Sequence, residues 1–119
     1  MNLGGDTKFF YCINLKLTKM TFKDLKFEAE SIPLLGSITR AHAEFPNGNG
    51  LSVVDGVFTY SGGGTYEIGP LHDGSLFTVD SWGESVKGYV TPETIDKILE
   101  YAENHTFEEY KNFLNDIDR

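Results

Sequence analysis

From Ser37 onward the chain alternates apolar and polar positions in short runs, and after Thr91 it changes to a helical spacing. In Ser37 to Phe45, Ala41, Ala43 and Phe45 fall on one face and Arg40, His42 and Glu44 on the other, which predicts a half-exposed strand. Pro46-Asn47-Gly48-Asn49-Gly50 reads as a turn, because Asn and Gly accept the positive φ that tight hairpins demand. Leu51 to Val54 is the returning strand. Asp55-Gly56 breaks or bulges it, and Val57 to Tyr60 continues it. Ser61-Gly62-Gly63-Gly64 is a loop. Thr65 to Leu71 is the next strand, with Tyr66 and Ile68 on one face. His72-Asp73-Gly74-Ser75 closes a second hairpin, and Leu76 to Trp82 runs back.

Two helices follow. Thr91-Pro92-Glu93 places a hydroxyl cap before proline at the first helical position, and Ile95, Ile98, Leu99 and Ala102 form an apolar stripe. Asn104-His105 ends that helix. Thr106-Phe107-Glu108-Glu109 has the spacing of a capping box, and Phe107, Tyr110, Phe113, Leu114 and Ile117 give the second helix its buried face. Before the sheet, Phe22, Leu25 and Phe27 are candidate core anchors, and Ile32-Pro33-Leu34-Leu35-Gly36 is a turn. Phe9 to Leu17 alternates well enough for an added edge strand, or residues 1–19 are an extension to a domain that starts at Met20. The expected fold class is α+β. One domain over 1–119 holds an antiparallel meander of about four to six short strands in 20–90, with two helices in 91–119 packed on one face.

Composition narrows the function classes. The 119 residues carry a net charge of −8, which disfavours nucleic acid and anionic membranes as partners, since both need clustered Lys and Arg. Two readings of that charge stand: simple solubility, and an acidic face that engages a basic protein. No apolar run approaches the ~18 residues of a membrane helix. MNLGGDTKFF lacks a basic segment followed by an apolar one, so no secretion signal is expected. Cys12 is the single cysteine, in keeping with a reducing cytoplasm.

No constellation carries a recognisable chemistry, so no catalytic residue, metal ligand or cofactor is assigned. Gly62-Gly63-Gly64 is followed by Thr65-Tyr66-Glu67-Ile68, not by the Lys and Ser or Thr of a phosphate loop. His42, His72 and His105 stand at no metal-ligand spacing, and neighbours such as His72 and Asp73 in a turn usually point apart. The acids of the helices, Glu93, Asp96, Glu100, Glu103, Glu108 and Glu109, read as a solvated face. The most distinctive patch is Asp80-Ser81-Trp82-Gly83-Glu84 with Lys87-Gly88-Tyr89. Trp82 is either core or an interface anchor. If it is exposed, Tyr60, Tyr66, Trp82, Glu84 and Tyr89 are the candidate partner-binding residues, joined by Glu100, Glu103, Glu108 and Glu109.

The segments Phe45 to Val54 (FPNGNGLSVV), Gly62 to Leu71 (GGGTYEIGPL) and Gly88 to Leu99 (GYVTPETIDKIL) resemble a group of small tailed-phage or prophage proteins. The resemblance covers about half the chain and carries over no catalytic residue. It implies a phage gene product acting in the cytoplasm of a bacterial host. The expectation is a non-enzymatic binding protein that inhibits a host or defence protein with a basic surface, for example a CRISPR effector or nuclease. Two alternatives stand beside it: a small-molecule sponge for a nucleotide signal, with a pocket between sheet and helices, and a structural or accessory phage protein. Exposed sheet edges also allow a homodimer.

Overall fold

The computed structural model describes residues 19–117. The expected edge strand from Phe9 to Leu17, and Cys12 with it, lie outside the described residues. Six antiparallel strands form one sheet: β1 (Glu28–Ile32), β2 (Gly36–Glu44), β3 (Asn49–Gly56), β4 (Tyr66–His72), β5 (Ser75–Leu76) and β6 (Lys87–Val90). The first four follow one another in chain order. β5 and β6 then share the remaining edge of β4, β5 beside Leu71 and His72 and β6 beside Tyr66 and Ile68. Two helices follow, α1 (Pro92–Asn104) and α2 (Phe107–Asp116). This is the expected α+β fold.

The alternation in β2 places its residues as the sequence implies. Ala41 and Ala43 are buried, while Arg40, His42 and Glu44 face solvent. Leu51 and Val53 of β3 and Ile68 of β4 extend the same apolar face. The helices cover it with Ile95, Ile98, Leu99 and Ala102 from α1 and Tyr110 and Leu114 from α2. Both helix starts form as their residues dictate. The Thr91 hydroxyl accepts from the Thr94 N–H, and Thr106 and Glu109 satisfy each other's backbone N–H groups at 3.1 and 3.0 Å. A 3-10 turn at Phe22–Asp24 closes the open end of the core. There the Thr21 N–H donates to the Asp24 carboxylate and holds its pKa below the ordinary value.

Two strand expectations need correction. The strand read from Val57 to Tyr60 does not form. β3 continues through Asp55-Gly56, and the Thr59 N–H then donates to the Gly56 carbonyl and turns the chain. Nor does Leu76 to Trp82 run back as a strand. β5 stops after two residues and the chain enters a 3-10 turn at Asp80–Trp82. Pro70 supplies the reason. Its carbonyl accepts the Phe77 N–H at 3.3 Å, but proline has no N–H to return, so the ladder ends there. The vacated edge is taken by β6, a strand the sequence pattern did not announce.

Candidate protein-binding surface

All the expected partner-binding residues but Tyr66 fall into three groups. Tyr60 and Tyr89 form the first. The Tyr89 N–H donates to the Tyr60 carbonyl at 2.9 Å, and the rings lie 6.5 Å apart, both largely in solvent. The Tyr60 N–H donates in turn to Glu67 Oε1 at 2.9 Å, which fixes the segment against β4. Gly88 permits this approach, since a Cβ there would collide with Cβ of Tyr60.

Trp82 and Glu84 form the second. The loop is closed by the Val79 N–H donating to the Glu84 carbonyl, and the Ser81 N–H donates to Asn115 Oδ1 of α2 at 2.8 Å. Trp82 packs against the core and is half-buried, between the core and interface-anchor alternatives read from the sequence. Its Nε1–H is buried without a hydrogen-bond partner. The Lys87 ammonium lies 5.9 Å from the ring centroid. A cleft of about 320 Å³ opens here, lined by Trp82, Glu84, Lys87 and Ile117 among others.

The helical acids form the third, and several already serve the fold. Glu109 completes its capping box, Glu108 meets Lys111 at 3.3 Å, and Glu100 meets Lys19 at 3.0 Å. Asp96 accepts the Phe22 N–H at 2.6 Å. Glu93 and Glu100 are exposed and Glu103 is half-buried. Tyr66 belongs with none of the three. It packs beside Phe22 and Phe27, with ring centroids 5.0 and 5.7 Å away, and so seals the core edge instead of facing a partner.

His72 and His105 are built into the fold, with one correction. His72 and Asp73 do not point apart, since Nε2 lies 3.5 Å from Asp73 Oδ2. The other ring nitrogen faces Asn49 Oδ1 at 3.0 Å. Asn49 Nδ2 donates to the carbonyls of Ala102 and His105, so its Oδ1 is the acceptor and His72 Nδ1 carries a proton. The ring stacks on Phe107 at 3.9 Å. His105 stacks on Tyr101, and His42 is exposed on β2. Among the described residues no group of three or more His, Cys, Asp or Glu is placed to hold a metal ion.

The sequence reading passed over two surface residues, Leu34 and Phe58. Both sit at positive φ, 69° and 61°, with side chains exposed at 104% and 80%. The only signal was Pro33 ahead of Leu34, since proline favours the second position of a turn whose third residue takes positive φ. No protein-family model, curated protein or solved structure matches the chain.

Proposed function

We propose that this chain is a phage-encoded, non-enzymatic binding protein that inhibits a bacterial host or defence protein, such as a CRISPR effector or nuclease, through an acidic surface. The observation that carries the reading is the charge. A net −8 is displayed partly on exposed side chains such as Glu84, Glu93 and Glu100. Such a surface attracts a basic protein over several ångströms and speeds encounter, as long as salt does not screen it. The resemblance to tailed-phage proteins supports this reading, with the host cytoplasm as the proposed site of the encounter.

The test is capture of partners from bacterial lysate on the tagged protein at low and high salt. One stoichiometric partner lost at high salt supports the reading. A partner retained equally by a Glu93→Lys, Glu100→Lys, Glu108→Lys variant would sink the acidic contact.

The cleft beside Trp82 favours a second reading, a sponge for a small planar ligand. The unpartnered indole N–H offers a donor there, while Glu84 makes the cleft less suited to a polyanion. Trp82 is the only tryptophan in the chain, so its fluorescence reports on this cleft alone. A nucleoside or free base that quenches it and raises the melting temperature would favour the sponge.

A further inference from the structure

The described residues include four non-glycine positions at positive φ. Asp73 lies in an Asp-Gly hairpin turn, where that conformation is ordinary. The other three are Leu34, Phe58 and Tyr89, all large and all exposed. Leu34 is the third residue of a turn closed by the Leu35 N–H on the Ile32 carbonyl at 3.0 Å. Phe58 holds the same place in the turn closed by Thr59 on Gly56 at 3.3 Å. Glycine or asparagine suits that place, and a bulky side chain there is strained. Burial would offset such a cost, but these side chains are in water.

The two turns are neighbours. The Val57 N–H donates to the Ser37 carbonyl at 3.2 Å, and a Cβ on Gly36 would press on Val57 Cγ1. Tyr60 follows the second turn and is joined to Tyr89 of β6. One end of the sheet therefore gathers Leu34, Leu35, Phe58, Tyr60 and Tyr89, five of the six large exposed apolar residues among those described. Its three aromatic rings alone expose on the order of 300 Å², the scale of a functional patch on a monomer. The strand rungs beside the tip carry Glu30, Asp55 and Glu67, while Arg40 is bridged to Glu30 at 3.5 Å.

We infer that this tip is the docking surface, and that its occupant is a protein surface with an apolar centre and a basic rim. With Glu30 bridged to Arg40, the half-buried Asp55 and Glu67, which hold Ser61 and the Tyr60 N–H, leave the tip net negative, which favours such a rim and disfavours a second copy of the chain. The inference rests on the binding-protein reading and moves the main contact from the helices to the sheet end.

The test uses two synthetic peptides as probes: an amphipathic helix of leucine and lysine, and a lysine–serine peptide of equal charge. The full chain should bind the leucine–lysine peptide at least tenfold more tightly by titration calorimetry. A Leu34→Gly, Phe58→Gly variant should lose that preference while its melting temperature stays level or rises, because glycine accepts both turns without strain. Retained preference in this variant would overturn the tip. If binding depends instead on Glu100, Glu103 and Glu108, shown by their replacement with Lys, the acidic-helix reading stands and the tip falls. If the chain binds neither peptide, both readings fall. A sedimenting dimer that the glycine variant dissolves would make a second copy the occupant and overturn the basic partner.

Discussion

Tyr110 is the largest fully buried side chain among the described residues, and its hydroxyl donates to the Gly50 carbonyl at 2.7 Å. That bond ties α2 to the second residue of β3. Tyr110→Phe removes that bond, and we expect a loss of about 1 kcal/mol in urea unfolding at neutral pH. Burial also pushes the phenol pKa well above its ordinary 10.0. Its contribution is thus complete below pH 10, where both folded and unfolded phenols are neutral. Above pH 10 the unfolded phenol ionises first, and stability falls by about 1.4 kcal/mol per pH unit. The Phe variant lacks this loss. The gap between the two proteins should close and then reverse above pH 10, and a constant gap would show that Tyr110 does not titrate on unfolding. Asn49 is a second residue whose place was hidden. Asn47-Gly48-Asn49 reads as a turn, and it is one, yet both asparagine amides also donate to the carbonyls of Ala102 and His105. No local pattern signals a partner more than fifty residues away.

At the scale of elements, β6 depends on one small residue. Gly88 lies against Cβ and the carbonyl of Tyr60, so Gly88→Ala must push the strand away from that segment. We expect a loss of 2 kcal/mol or more. Amide exchange should speed at Tyr89, which donates to the Tyr60 carbonyl, while α1 keeps its protection. Uniform acceleration across the chain would mean that β6 does not open separately. The same strand shows where legibility stopped. Elements with a local signature, such as β2 with its alternation and α1 and α2 with their Thr caps, were readable from their own residues. β6 was not, because Lys87-Gly88-Tyr89-Val90 is short and has no clear alternation. It takes the part of the β4 edge, at Tyr66 and Ile68, that β5 leaves free once its ladder ends at Pro70. The aromatic pair Tyr60 and Tyr89 was named from sequence. Leu34 and Phe58 were not, because their exposure follows from backbone angles and not from residue type.

For the whole molecule the dominant quantity is the net charge of −8. Acids outnumber bases on a small body, so self-repulsion opposes the compact state at low ionic strength. Sodium chloride between about 0.01 and 0.15 M shortens the screening length from about 30 to 8 Å. The melting temperature should rise by a few degrees over that range, and a fall would show that specific ion pairs outweigh the repulsion. Binding to a basic partner should move the opposite way, so salt separates the fold's electrostatics from those of the contact.

The helices follow every described strand in the chain, yet they supply the cover for the apolar side of the sheet. A ribosome therefore delivers Ala41, Ala43, Leu51, Val53 and Ile68 before anything exists to shield them. Until α1 and α2 emerge, the nascent sheet offers the cell an oily plane, and a stalled or clipped chain keeps offering it. The interval between the strands and their cover is the period in which chaperones and proteases decide the yield of this protein.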